Sequence, residues 1–144
     1  MNPNDTVVEY IHLFNHLKQL DHLELQRLTT PNLRFIDPFN DVTGHAKVIK
    51  VLQHFAAQVE KPHFDINYMA WDGSVCFVRW NFRGRLRKLG TWSFPGVSEL
   101  HFDSQGLIYL HQDHWDAGLH FYQRLPLVGH VINWVRNRIQ LSAR

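Results

Sequence analysis

Cysteine is nearly missing from this chain. Cys76 stands alone, so no internal disulfide can form and no zinc-ligand spacing exists. It lies in the apolar run Val75-Cys76-Phe77-Val78, which marks it as a small buried hydrophobe in a reducing compartment. Long apolar stretches are missing too: none approaches the roughly 20 residues that span a bilayer. No charge sign dominates. Fifteen Lys and Arg against thirteen Asp and Glu leave a formal +2, too weak for the concentrated basic surface that a phosphate backbone demands. Nucleic acid is therefore not expected as a partner. The opening Met1-Asn2-Pro3-Asn4-Asp5 is polar and acidic with no signal peptide after it, so a cytoplasmic location is expected. Repeats, low-complexity segments and linkers are absent as well, and 144 residues suit one domain, 1–144.

Aromatic residues and histidine are abundant. Aromatics reach 13%, which calls for a large core or an aromatic-lined cavity. The eleven histidines are scattered, as surface and rim positions are.

Hydrophobic periodicity orders the elements. Asn2-Pro3 reads as a cap followed by proline at the first helical position. Val7, Ile11, Phe14 and Leu17 follow at helical spacing, widened by Tyr10, Leu13 and Leu20. A second helix starts at Asp21, with Glu24 three residues on, and ends before Thr29-Thr30-Pro31. Leu33 to Ile36 is a short strand closed by Asp37-Pro38. A third helix covers about Gly44 to Val59, and Pro62 stops it. Strands follow over His63–Trp71, Ser74–Arg87, Thr91–Phe102 and Leu107–Trp115, with turns at Asp72-Gly73, Leu89-Gly90 and Asp103-Ser104-Gln105-Gly106. Helical spacing returns with Leu119 and Tyr122 and, beyond Pro126, with Val128, Val131, Ile132, Val135 and Ile139. This order predicts an α+β fold: a cone-shaped, curved antiparallel sheet packed against N-terminal helices, with a C-terminal helix.

Three local patterns carry a family resemblance: Phe35-Ile36-Asp37-Pro38-Phe39 with Gly44; Leu100-His101-Phe102-Asp103 with Gly106-Leu107-Ile108; and His111-Gln112-Asp113-His114-Trp115-Asp116. With the element order, they make the chain similar to the SnoaL-like, nuclear transport factor 2-like superfamily, which includes cyclases, ketosteroid isomerases and limonene epoxide hydrolases. The tail through Leu125-Pro126-Leu127-Val128-Gly129 resembles a bacterial subgroup without a settled activity. The resemblance implies a curved sheet around an apolar pocket, a small apolar ligand and a homodimer through the outer sheet face.

It also implies site residues. In ketosteroid isomerases an aspartate shuttles a proton, while a tyrosine and a protonated aspartate hold the oxyanion. Asp37 stands in the matching Asp-Pro-Phe segment. Ser98 falls where the oxyanion aspartate would be. The tyrosine falls near Leu13 or Phe14, with Tyr10 one turn away. These departures speak against a steroid isomerase proper. The isomerase comparison puts Trp115 on the cavity wall, and strand alternation then carries Tyr109, His111 and Asp113 to the same face. The epoxide hydrolases have an aspartate in a similar segment, matching Asp113. Their Arg-x-Asp pair would fall on Arg79-Trp80-Asn81, whereas the isomerase comparison points Val78, Trp80 and Phe82 inward. The two registers differ by one residue; the second is adopted because a pocket for an apolar ligand needs apolar walls.

The candidates are therefore Asp37, Asp113 and His111 as catalytic groups, with Tyr10, Phe14, Trp80, Phe82, Ser98 and Trp115 lining the ligand site. Plainer readings stand beside these: Asp37 as a strand terminator, and His111 with Asp113 as a satisfied buried pair. Strand alternation splits His111, Asp113, His114 and Asp116 two and two between faces, so no metal is expected, and no cofactor is implied. Two functions remain open, an acid–base enzyme on an apolar substrate and a non-catalytic binding or scaffold module. The C-terminal helix, with Arg136, Asn137 and Arg138 beside its apolar residues, packs on its own domain or a partner subunit, or else makes peripheral contact with a membrane.

Overall fold

The computed structural model describes residues 2–141. Helix α1 (Pro3–Phe14) begins where expected: Asn2 accepts the Asn4 N–H through its side chain at 2.9 Å, and proline holds the first helical position. A 3-10 turn at Leu17–Gln19 leads to α2 (His22–Leu28), capped by Asp21 through the Glu24 N–H at 3.1 Å. Strands β1 (Thr29–Ile36) and β2 (Asp41–Thr43) precede α3 (His45–Gln58). Four long strands follow, β3 (Val59–Asp72), β4 (Val75–Leu86), β5 (Gly90–Phe102) and β6 (Ile108–His114). Short helix α4 (Ala117–His120), a 3-10 turn at Tyr122–Arg124 and α5 (Val128–Ile139) complete the described chain.

The six strands form one sheet in the order β2-β1-β6-β5-β4-β3. The α+β class is as expected, but the sheet is mixed: β1 runs parallel to β6, while every other neighbouring pair is antiparallel. A parallel partner requires a long crossover, here α3 with the β3–β5 meander. Pro62 does not halt the chain before β3. Instead β3 runs through it with a bulge between Glu60 and His63, where Lys61 takes a positive φ of 49°. An edge strand tolerates this, because a proline there need not serve a second neighbour.

The concave face of the sheet and the N-terminal helices enclose the core. Val78, Trp80 and Phe82 all point inward and are buried, while Arg79 and Asn81 lie on the other face. This is the isomerase-like register, so the Arg79-Trp80-Asn81 segment does not bring a polar pair into the interior. Gly96 faces Trp80 across the ladder. A Cβ there would fall 2.2 Å from the indole Cη2, so the bare glycine lets the ring lie across β5. Asn15 pins the end of α1 to β3: its amide accepts the Phe64 N–H at 2.8 Å and donates to the Phe64 carbonyl at 3.2 Å. Cys76 is fully buried, and desolvation pushes its thiol up to about 11, which makes it inert at neutral pH.

Candidate functional site

The site begins where β1 ends. Pro38 breaks the strand, and Asp37 closes a tight loop: its N–H donates to the Asn40 carbonyl at 3.0 Å. Its Oδ1 accepts the Phe39 N–H at 2.8 Å, the Asn40 N–H at 2.7 Å and the Asn40 side-chain amide at 3.1 Å. This is an Asx-turn. Oδ2 has one longer contact, from the same amide at 3.3 Å. Burial raises the Asp37 pKa above the ordinary carboxylate value; the backbone donors and the Asn40 amide oppose that rise, and the nearby Asp113 charge adds to it. Asp37 thus terminates its strand and also borders the cavity.

Parallel pairing sets Phe35 opposite His111 and Ile36 opposite Gln112. The next step along both strands brings Asp37 and Asp113 to the same end of the sheet. Asp113 Oδ1 accepts from Ser98 Oγ at 2.5 Å and bonds His111 Nε2 at 2.6 Å. Behind these sit two further donors: Trp80 Nε1 gives its hydrogen to Ser98 Oγ at 2.9 Å, and the Tyr10 hydroxyl meets His111 Nδ1 at 2.8 Å. Burial and the Asp113 charge push the Tyr10 phenol well above its ordinary range, so it keeps its proton and donates. Nδ1 is then the acceptor, and Nε2–H points at Asp113. Two donor relays, Trp80–Ser98 and Tyr10–His111, therefore converge on one carboxylate oxygen.

Asp37 and Asp113 both border a cavity of about 670 Å³. Its walls are aromatic and aliphatic: Phe14, Trp80, Phe82 and Trp115 among the candidates, and Phe35, Trp92, Phe94, Phe121 and Tyr122 besides. Phe94 stacks on Trp115 at 4.2 Å between ring centroids, and Phe39 meets Phe121 edge-on at 5.1 Å. Lys50, His54 and Gln58, spaced four residues apart on α3, form an exposed polar rim.

Three candidates sit elsewhere. Tyr10, Ser98 and His111 are buried behind Asp113, where they border a separate hollow of about 20 Å³; they reach the large cavity through Asp113. Tyr109 departs from the expected inward face. A bulge pairs His101 with Leu110 and Phe102 with Ile108, and the extra residue turns Tyr109 outward, 42% exposed, against His101. His114 likewise faces outward and pairs with Glu99. Among the described residues no group of three or more His, Cys, Asp and Glu converges as a metal site. Sequence reasoning passed over Asn40, which braces Asp37. Its signal was an amide three residues after an aspartate in a proline turn.

Residues 7–111 match the family described as SnoaL-like domain, and the chain belongs to that family. No protein of curated function matches it. Among solved structures, the chain is similar to a nuclear transport factor 2-like protein of unknown function from Burkholderia pseudomallei, with 19% identity over 83% of this chain and 94% of that one and a TM-score of 0.72. An LEH-like epoxide hydrolase from M. tuberculosis shows 17% identity, 91% and 93% coverage and a TM-score of 0.66. A protein with a ketosteroid isomerase-like fold from Catenulispora acidiphila, solved in complex with trimethylamine, shows 14% identity, 80% and 88% coverage and a TM-score of 0.69. At these identities the likeness concerns the fold.

Proposed function

We propose that this SnoaL-like domain takes a small, largely apolar molecule into its cavity and performs acid–base chemistry on it, as an isomerase, cyclase or hydrolase. The observation that carries the reading is the meeting of Asp37 and Asp113, from opposite thirds of the chain, on one apolar cavity of about 670 Å³. Asp37 is the base. Its raised pKa makes it a better acceptor for a proton from an activated C–H or from water, and the carboxylic acid so formed can hand that proton back to the substrate. Asp113 has one oxygen committed to Ser98 and His111, which fixes the carboxylate for a second role, orienting water or the polar end of the substrate. His111 and Tyr10 act through Asp113 as positioning residues. The aromatic walls lower the polarity around both carboxylates, so each charge interaction there is stronger than in solution.

In this reading the protein works in the cytoplasm as a homodimer, joined by the outer sheet face that exposes Tyr68 and Phe77. Among the described residues no helix is long and apolar enough to cross a membrane.

The test starts from a thermal-shift screen of apolar small molecules, each stabilising compound then being incubated with the protein and examined by mass spectrometry. Asp37→Asn is expected to keep the thermal shift and to lose turnover by on the order of 10²-fold or more. Turnover that survives the substitution would remove Asp37 from the chemistry. One observation favours a second reading, a binding module without catalysis. Ser98 is committed to Trp80 and Asp113 and does not border the large cavity, so no acidic oxyanion donor stands at that position. Recovery of every stabilising compound unaltered from the wild-type protein would establish this alternative.

A further inference from the structure

Helix α5 sits on its own domain the wrong way round. Its buried residue is Gly129, where a Cβ would fall 2.2 Å from the Gln123 carbonyl oxygen. Asn133 accepts from the Gln123 amide at 3.1 Å, and Arg136 donates to Gln123 Oε1 at 2.6 Å. The polar flank thus packs on the Tyr122–Arg124 turn. Val128, Val131, Trp134, Val135 and Ile139, an apolar arc at helical spacing, face solvent, with Trp134 60% and Ile139 81% exposed. At the head of the helix Leu127 adopts φ 65°, ψ −66°, and the Val128 N–H donates to the Pro126 carbonyl at 2.7 Å. This is the strained form of the γ-turn, and it holds Leu127 80% exposed.

The charge around this face has one sign. Among the described residues from Ala117 to Leu141 there are three arginines, Arg124, Arg136 and Arg138, and neither aspartate nor glutamate. Arg138 lies over the Trp134 ring at 5.0 Å. Arg124 donates to the Leu89 carbonyl at 2.7 Å, which draws the β4–β5 turn, with exposed Arg87 and Lys88, to the same end of the molecule. A second copy of α5 would set arginine against arginine with no carboxylate between them. An anionic lipid surface satisfies both halves: acyl chains take the apolar arc and headgroups take the guanidiniums. Phe121 and Tyr122, which border the cavity, lie just ahead of α5.

We propose that α5, Leu127 and the β4–β5 turn form an interfacial anchor that lays the protein on an anionic membrane with the cavity mouth beside the bilayer, so that an apolar ligand passes from lipid to cavity without crossing water. The delivery role rests on the proposed ligand-binding cavity; the anchor does not. Flotation of the full chain with phosphatidylcholine vesicles, with and without phosphatidylglycerol, tests it. The protein is expected to float with the anionic vesicles and to be released by high salt. Arg136→Gln with Arg138→Gln should weaken binding about 25-fold, at about fivefold per charge. Val131→Glu with Val135→Glu should abolish it while leaving thermal unfolding unchanged, since both side chains are exposed. Failure to float overturns the anchor, as does flotation unaffected by the glutamates. A dimer in light scattering that the glutamates dissolve, without flotation, would assign the face to a second copy and also overturn it. Asp37→Asn should float like the wild type, so loss of turnover there and loss of flotation here are separate failures.

Discussion

Replacing Gly96 by alanine tests whether the Trp80 ring is the brace that holds the carboxylate network. At an unhindered strand position, glycine to alanine stabilises a protein by about 0.4–1 kcal/mol, chiefly by restricting the unfolded chain. Gly96 is not unhindered. A Cβ would lie 2.2 Å from Trp80 Cη2, 2.5 Å from Cζ2 and 2.7 Å from Cζ3, so the indole must move. Its surroundings resist, because the ring is packed edge-on to Phe64 at 5.1 Å and lies near Phe94 at 5.9 Å. Overpacking of this kind costs about 1–3 kcal/mol. Displacing Nε1 from Ser98 Oγ breaks a buried hydrogen bond, worth a further roughly 1 kcal/mol. Set against the gain from restricting the unfolded chain, the net loss is about 1–3.5 kcal/mol, a fall in Tm of roughly 3–10 °C at about 3 °C per kcal/mol for a chain of this length. Urea and thermal unfolding followed by circular dichroism measure it, and Trp80→Phe serves as the second arm of a double-mutant cycle. With the larger ring gone, the alanine should cost much less. A stabilising Gly96→Ala, or a cost unchanged in the Trp80→Phe background, would refute the argument.

Asp37 gives a pH signature of known sign. Its carboxyl titrates above the ordinary value in the fold, so between the two values the folded state holds more protons than the unfolded one. Stability therefore falls as pH rises through that window and stays lowered above it. Asp37→Asn keeps an oxygen for the Phe39 and Asn40 N–H groups without the buried charge. It should match or exceed the wild type in Tm at neutral pH, and the difference should vanish below the ordinary carboxylate range. A variant clearly less stable at neutral pH contradicts this. Tyr10→Phe removes the donor to His111 Nδ1 in a wholly buried setting. It should cost about 1–3 kcal/mol and free the imidazole to change tautomer, read from its ring-nitrogen shifts by NMR; unchanged stability with an unchanged tautomer would show that the hydroxyl does not set the histidine.

The features legible beforehand are those written in consecutive residues. The caps at Asn2 and Asp21 satisfy donors two or three positions away, and the inward register of Trp80 follows from an alternating apolar run. Asp37 announced itself through the proline after it. The features that were not legible depend on how elements dock. The parallel β1–β6 pair arises from a crossover whose return no local pattern marks. Tyr109 faces outward because one extra residue in β6 reverses the alternation, and a bulge leaves no mark in composition. The contact from Tyr10 to His111 joins a helix near the start of the chain to the last strand, and only the assembled core brings them within bonding distance. The stance of α5 was hidden for a different reason. Periodicity identified its apolar face, but an apolar face is ordinarily the one that packs, and here Gly129 and Gln123 reverse the rule.

The side-by-side parallel run of the first and last strands of the sheet has a temporal consequence. A nascent chain emerging from the ribosome possesses Asp37 early, already braced in its own turn, yet β6 is synthesised only after the whole meander. Until that strand slots between β1 and β5, the sheet is split, with two open edges where its two ladders should be, and no partial product owns both acids. Acquisition of the site and closure of the sheet are therefore one event, and any truncation that removes β6 should yield a chain prone to edge-to-edge self-association rather than a smaller working domain.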